Sequence, residues 1–382
     1  MNRNNTAEKN KYILMPDSFK GTMDAVTVCG IMRDAILNCD SSAQVISVPI
    51  ADGGEGTVDC FVHAFGGERI EADVKGPYGK ESASFYGRTG DTAVVELAAA
   101  AGFTAGKKGG NNPAKATTYG VGQLIKKAVE AGSSRIILGL GGSCSNDGGA
   151  GMAAALGTEF YDENGESFVP TGDTLHLIAR IDNSRTEEFL SGVTVDVMCD
   201  IDNPLYGAEG AAYVFAPQKG ADERMVRELD MNLRAFAETI QRELGTDVSD
   251  LPGAGAAGGA GAGAYAFLGA SLKQGIDVIL DMLDFDTLVD GCRMIFTGEG
   301  QLDSQSLGGK VVVGIARRAA KHHIPVTAVV GRVKGDAAGL ASAGISGIVQ
   351  TDPGTYSSFS EVVKNCRRDL YRAMEKVMSE AE

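Results

Sequence analysis

Met294-Ile295-Phe296-Thr297-Gly298-Glu299-Gly300-Gln301-Leu302-Asp303-Ser304-Gln305-Ser306 decides the class of this chain. An aliphatic and aromatic run ends in a loop of glycines, acids and amides, and a helical pattern resumes near Lys310. The same order appears at four other places. Tyr12–Met15 leads into Pro16-Asp17-Ser18-Phe19-Lys20-Gly21, and Val45–Ile50 into Ala51-Asp52-Gly53-Gly54-Glu55-Gly56. Arg135–Leu140 leads into Gly141-Gly142-Ser143-Cys144-Ser145-Asn146-Asp147-Gly148-Gly149, and Val193–Met198 into Cys199-Asp200-Ile201-Asp202-Asn203-Pro204. Strands alternating with helices predict an α/β fold with parallel pairing. Ligands of such sheets sit beyond the carboxyl ends of the strands, and these ends carry Asp or Glu.

The chain between Arg69 and Leu97 is different. Its β-rich alternation around Gly76-Pro77-Tyr78-Gly79 and Gly87–Asp91 predicts antiparallel hairpins. From Arg293 to Val349 the β-loop-helix-β order returns, with Pro325–Val330 and Gly347–Gln350 as strands. The expected organisation is a discontinuous domain of both chain ends, residues 1–68 and 292–382, around an inserted mixed α/β domain of residues 69–291. Ser360 to Glu380 reads as an amphipathic closing helix with Ser360 as its N-cap.

A length of 382 residues fits two to three domains. The 43 % hydrophobic share is enough for substantial cores, and a 22 % charged share argues against global disorder. A net charge of −15 argues against a general nucleic-acid binder, which needs a basic face. An anionic substrate must then be met by local lysines or a bound cation. Seven cysteines at wide spacings, with no C-x-x-C, fit a reducing compartment, hence the cytoplasm. Four histidines leave little for histidine-based catalysis. Met1 to Lys11 is polar and lacks the apolar stretch of a signal peptide, so it reads as a short disordered tail. The uncharged run Leu251 to Leu272 is mostly Gly and Ala, a poor membrane span. The 52 glycines gather in discrete loops, where the backbone turns sharply or approaches a ligand closely.

Each loop has a chemical reading beside a plainer one. Lys20 is either a solvated loop lysine or a point charge on a phosphate or carboxylate. Asp52, between a strand and two glycines, is placed to bind Mg²⁺ or a substrate hydroxyl, whereas Glu55 is equally well an early-turn acid on the helix dipole. Ser143, Ser145, Asn146 and Asp147 lie among glycines in the manner of a phosphate loop, with Asp147 alternatively a cap. Asp200 and Asp202 could share a magnesium with ATP or form an Asx turn into Pro204. Glu299, Gln301 and Asp303 suit hydroxyl binding, metal binding or proton abstraction, or cap the next helix. No Walker A loop exists, since Val311 follows Gly309-Lys310 where Ser or Thr is needed. Gly253-Ala254-Gly255-Ala256-Ala257-Gly258 matches G-x-G-x-x-G, but no apolar strand precedes it. Close helix packing is the plainer reading there, and phosphate contact by Gly255 and Gly258 the functional one.

In order along the chain stand PDSFKGT (16–22), PIADGGEGT (49–57), GPYG (76–79), VELAAAAGF (95–103) and NPAKATTYGVG (112–122). LGGSCSNDGGAGM (140–152), CDIDNPLYG (199–207), FAPQKGA (215–221), PGAGAAGGAGAG (252–263) and FTGEGQLDSQSLGGK (296–310) follow. Together they closely resemble the type-one glycerate kinase family over almost the whole chain. Cys144-Ser145 replaces the usual small residue and Thr but keeps a hydroxyl at 145. The resemblance implies ATP-dependent phosphorylation of D-glycerate at the 2-hydroxyl. It also implies two domains, one Rossmann- or flavodoxin-like, with the site in the cleft between them.

On that reading Asp200 is the first choice for catalytic base and Asp303 the second. Lys20 neutralises the transferring phosphoryl group or the glycerate carboxylate. Asp17, Ser18, Asp52, Glu299 and Gln301 bind substrate, and Asp200 and Asp52 hold Mg²⁺. Gly142, Ser143, Ser145, Asn146, Asp147, Gly255 and Gly258 hold nucleotide phosphates. Expected partners are D-glycerate and ATP, with no nucleic acid and no membrane, in a monomer or homodimer. Three alternatives stay open: a glycerate 3-kinase, an NAD(P)-dependent hydroxy-acid dehydrogenase and a non-catalytic hydroxy-acid sensor.

Overall fold

The strand Lys11–Pro16 is buried along nearly its whole length, and parallel neighbours flank it on both sides. In the computed structural model, which describes residues 10–51, 53–103, 112–302, 311–334 and 343–380, the chain divides into two units. The first comprises residues 1–52 and 276–382, and the second residues 53–275.

In the first unit five parallel strands lie in the order Gly347–Gln350, Val326–Val330, Cys292–Gly298, Lys11–Pro16, Gln44–Ser47. Counted along the chain within the unit this is order 2-1-3-4-5, the flavodoxin-like doubly wound arrangement. Its direction of winding reverses between Lys11–Pro16 and Cys292–Gly298. There Pro16 pairs with Gly298, and the Asp17 N–H donates to the Gly298 carbonyl at 2.8 Å. A Cβ on Gly298 would stand 1.9 Å from the Val329 carbonyl oxygen, so only glycine fits this strand end. Helix Ala25–Cys39 buries Val28, Met32 and Ile36 with Leu370, Met374 and Met378 of helix Phe359–Glu380. Repeats of three and four residues put these side chains on one face of each helix. Ser358 caps the latter helix by accepting from the Glu361 N–H at 3.3 Å, so the cap falls two residues before the expected Ser360.

The second unit holds a six-stranded mixed sheet in the order Ser271–Lys273, Thr194–Met198, Arg135–Gly139, Thr92–Glu96, Glu81–Thr89, Glu68–Lys75. The first four strands run parallel, and the last two form the expected hairpins. Phe160, Phe236 and Phe267 form the aromatic centre of its core, with Phe160 and Phe267 edge to face at 5.5 Å. Such a pair contributes about 0.5–1.5 kcal/mol beyond area burial. The Gly/Ala run contributes helix Ala256–Leu268, whose glycines admit neighbouring backbone. A Cβ on Gly263 would lie 2.3 Å from the Gly148 carbonyl.

The unit boundaries differ from the expected 68/69 and 291/292. Helix Thr57–Phe65 rests its Val58 and Phe61 where Gly87 lacks a side chain, so it belongs with the hairpin strands. Ile276 packs where Gly314 lacks one, at 2.5 Å from a would-be Cβ, which draws residues 276–291 into the first unit. Among the described residues no helix is long and apolar enough to cross a membrane.

Candidate active site

The carboxyl ends of the first unit's strands enclose a cavity of about 400 Å³. Asp17, Ser18 and Lys20 line it from the loop after Lys11–Pro16, and Glu299 and Gln301 from the loop after Cys292–Gly298. This is the switch point of the sheet, where open α/β sheets bind ligands. Five residues singled out in the sequence thus share one cavity.

Tight turns hold them. The Phe19 N–H donates to the Met23 carbonyl at 2.8 Å and the Thr22 hydroxyl to the Phe19 carbonyl at 2.7 Å, while Gly21 takes φ +80°. Lys20 is thereby left exposed at the loop's tip. The Ser18 N–H donates to Asp17 Oδ1 at 2.6 Å, fixing a largely buried carboxylate. Gly300 lets the second loop lie on the first, because a Cβ there would meet Lys20 N at 3.1 Å. Gln301 and Leu302 then pair in parallel with Arg332 and Val333.

That pairing brings in residues the sequence did not reveal. Arg332 donates from Nη2 to Asp352 Oδ2 at 2.6 Å, and both line the cavity. Burial works against the Asp352 carboxylate. The Gly354 N–H and the Arg332 guanidinium more than offset it and hold the group below the usual carboxylate range. Tyr356 and Phe359 add an aromatic wall, with the Tyr356 hydroxyl bound to Asp369.

The other expected site residues lie in the second unit. Asp200 follows strand Thr194–Met198, and its Oδ1 accepts from the Gly275 N–H at 2.8 Å. The loop after Arg135–Gly139 starts at Gly141, whose N–H donates to the Gly53 carbonyl at 3.0 Å. Gly142 is exposed, Ser143 nearly buried, and Ser145 and Asn146 fully buried. Lys219 reaches into this loop. Its Nζ donates to Ser143 Oγ and to the Ser145 carbonyl, each at 2.7 Å.

Asp147, Gly255 and Gly258, also expected at the nucleotide, are held by contacts within the second unit. Asp147 is fully buried and accepts from Thr117 Oγ1, the Thr118 N–H and hydroxyl, and the Gly149 and Gly151 N–H groups. Burial raises its carboxyl above the usual range despite these donors. A Cβ on Gly255 would lie 2.3 Å from the Pro204 carbonyl, and one on Gly258 2.2 Å from that of Ser145. Their open faces are filled by protein backbone. Among the described residues the element before them is helix Glu223–Leu244, not the strand that a dinucleotide-binding turn follows. Asp52 and Asp303 lie outside the described residues.

Glu96, at the end of strand Thr92–Glu96, is a further buried acid. Burial pushes its carboxyl up to about 7, against the pull of the Val58 N–H that donates to it at 2.7 Å.

The glycerate kinase family model matches residues 12–382 of the chain. A Bacillus cereus protein named glycerate kinase is 43 % identical over 358 residues, 93 % of this chain and 94 % of that one. An Escherichia coli K12 protein named glycerate 2-kinase is 42 % identical over 349 residues, 90 % of this chain and 92 % of that one. A crystal structure from Salmonella typhimurium LT2, provisionally assigned as glycerate kinase 2, superposes with a TM-score of 0.87 at 37 % identity and covers 98 % of both chains. The whole-chain match and the parallel-sheet α/β fold agree: the chain belongs to the glycerate kinase family of phosphotransferases.

Proposed function

We propose that the protein phosphorylates D-glycerate on its 2-hydroxyl with ATP and Mg²⁺, giving 2-phosphoglycerate and ADP. The observation that carries this reading is the cavity at the switch point, where Lys20 and Arg332 stand among Asp17, Ser18, Glu299 and Gln301. A small hydroxy acid needs a cation for its carboxylate and acceptors for its hydroxyls, and this wall supplies both. Phosphoryl transfer rests on positioning and charge stabilisation more than on covalent chemistry from the protein.

In this reading Lys20 offsets charge on the glycerate carboxylate or the transferring phosphoryl group. Asp17, Ser18, Glu299 and Gln301 orient the substrate, and Asp52 joins them. The 2-hydroxyl oxygen bonds to the γ-phosphorus as the bond from that phosphorus to the bridging oxygen of ADP breaks. The hydroxyl proton passes to a carboxylate, Asp200 as first choice and Asp303 as second. Gly142, Ser143, Ser145 and Asn146 meet the nucleotide phosphates.

Mg²⁺ neutralises phosphate charge and takes one or two carboxylates alongside phosphate oxygens, so it requires no protein cage. Among the described residues no group of three or more His, Cys, Asp or Glu forms one. Asp200 and Asp52 are the carboxylates assigned to it, and their oxygens suit a hard cation. The cytoplasm, where ATP is abundant and thiols stay reduced, is the compartment this reading implies.

The test is a coupled assay. The product is fed to enolase with and without phosphoglycerate mutase. Signal without mutase is expected for the 2-phosphate. Signal that requires mutase would assign the 3-hydroxyl instead, and NAD(P)H turnover with glycerate would return the dehydrogenase reading.

A further inference from the structure

Lys219 is buried, at 2 % exposure, and no carboxylate is hydrogen bonded to it among the described residues. Its two acceptors are a neutral hydroxyl and a carbonyl. Buried lysines are almost always paired with an anion. Beside it, Ser145 Oγ and both side-chain heteroatoms of Asn146 are buried without a hydrogen-bond partner among the described residues. More than nine in ten buried polar groups find one. These three atoms of two consecutive residues lie next to an ammonium whose hydrogen bonds go only to neutral acceptors.

The hydrogen bond to Ser143 fixes a direction. An ammonium only donates, so Ser143 Oγ is the acceptor of the 2.7 Å bond. The Ser143 hydroxyl proton must then point elsewhere. Ser143 retains slight exposure, and its neighbour Gly142 is exposed. We infer that Lys219 is a positioning residue for the nucleotide: it holds the Ser143 hydroxyl as a polarised donor to an anionic phosphate oxygen. This inference rests on the reading that the loop from Gly142 to Asn146 meets the phosphates. Burial lowers the ammonium to about 8, with the Cys144 thiol and the Asp147 carboxylate the ionisable groups that oppose the shift.

The experiment uses the full-length protein with ATP and glycerate varied separately, and ATP binding measured by calorimetry. Lys219→Met and Ser143→Ala should each raise KM and Kd for ATP about tenfold, leaving KM for glycerate within twofold. The double variant should be no worse than either single one. Lys219→Gln, which keeps a neutral donor, should recover part of the loss. Wild-type KM for ATP should rise above pH 8, and that rise should vanish in Ser143→Ala. Wild-type ATP affinity in folded Lys219→Met and Lys219→Gln, beside a weakened Ser143→Ala, would overturn the role of Lys219 alone. Unchanged ATP affinity in Ser143→Ala would instead overturn the phosphate reading of the loop. A rise confined to KM for glycerate would overturn both. If the Lys219 variants do not fold, the Ser143→Ala pH profile decides, and a persisting rise above pH 8 refutes the inference.

Discussion

The Asp17 N–H donates to the carbonyl of Gly298, and this bond joins the two loops that carry most of the expected substrate contacts. It lies where the sheet's winding reverses, so the chain leaves two neighbouring strands in diverging directions and opens a cavity between them. Lys20 and Glu299 reach that cavity because the strands beneath them are in register, Pro16 opposite Gly298.

Lys20→Met is expected to lower kcat/KM about 10²–10³-fold, the usual cost of removing one preorganised charge-stabilising group. The side chain is exposed at a loop tip, so the melting temperature should stay near wild type. Lys20→Arg should recover only part of the activity, because a planar fork does not replace a compact point charge. Steady-state kinetics beside thermal denaturation tests this, and wild-type turnover in Lys20→Met would exclude the role.

Glu96 should make stability depend on pH in an unusual direction for an acid. Its folded pKa of about 7 lies above the ordinary glutamate value of 4.5, so the native state holds the proton more tightly than the unfolded chain. The contribution is full below the unfolded value and is lost as pH rises through about 7. Glu96→Gln keeps an acceptor for the Val58 N–H and removes the charge. It should be nearly neutral at pH 4.5 and stabilising by about 1–3 kcal/mol at pH 8. Denaturant titrations at the two pH values measure the difference.

Asp352 should behave in the opposite way. Its folded pKa is depressed, so its stabilisation is present at neutral pH and is lost as pH falls through the acidic range below the usual Asp value. Asp352→Asn should lower the melting temperature at pH 7, and the gap from wild type should narrow as pH falls towards 3. The same variant should raise KM for glycerate at pH 7, because Arg332 loses the carboxylate that orients it.

Two glycines should respond oppositely to alanine. Gly258 has φ +72° and its would-be Cβ lies 2.2 Å from the Ser145 carbonyl, so Gly258→Ala should destabilise by about 2–4 kcal/mol. Gly30 sits in helix Ala25–Cys39 with nothing within 4 Å of a Cβ, so Gly30→Ala should stabilise by about 0.5–1 kcal/mol. Paired unfolding curves check both.

The sequence by itself determined the α/β class, the parallel strands, the hairpins between Arg69 and Leu97, and the strand-end loops. Those features are local: apolar periodicity sets an element, and glycine with acid marks where it stops. It also carried the family, through ordered motifs that span the chain. Tertiary structure alone decided which surface each element covers. Helix Thr57–Phe65 joined the second unit because Gly87 leaves room for it, a fit between residues far apart in sequence. Lys219 meets Ser143 across 76 residues and Arg332 meets Asp352 across 20, and no periodicity encodes such pairs. Gly255 and Gly258 show the same limit. A glycine in sequence announces that something comes close, but only the folded chain shows that it is the Pro204 and Ser145 backbone.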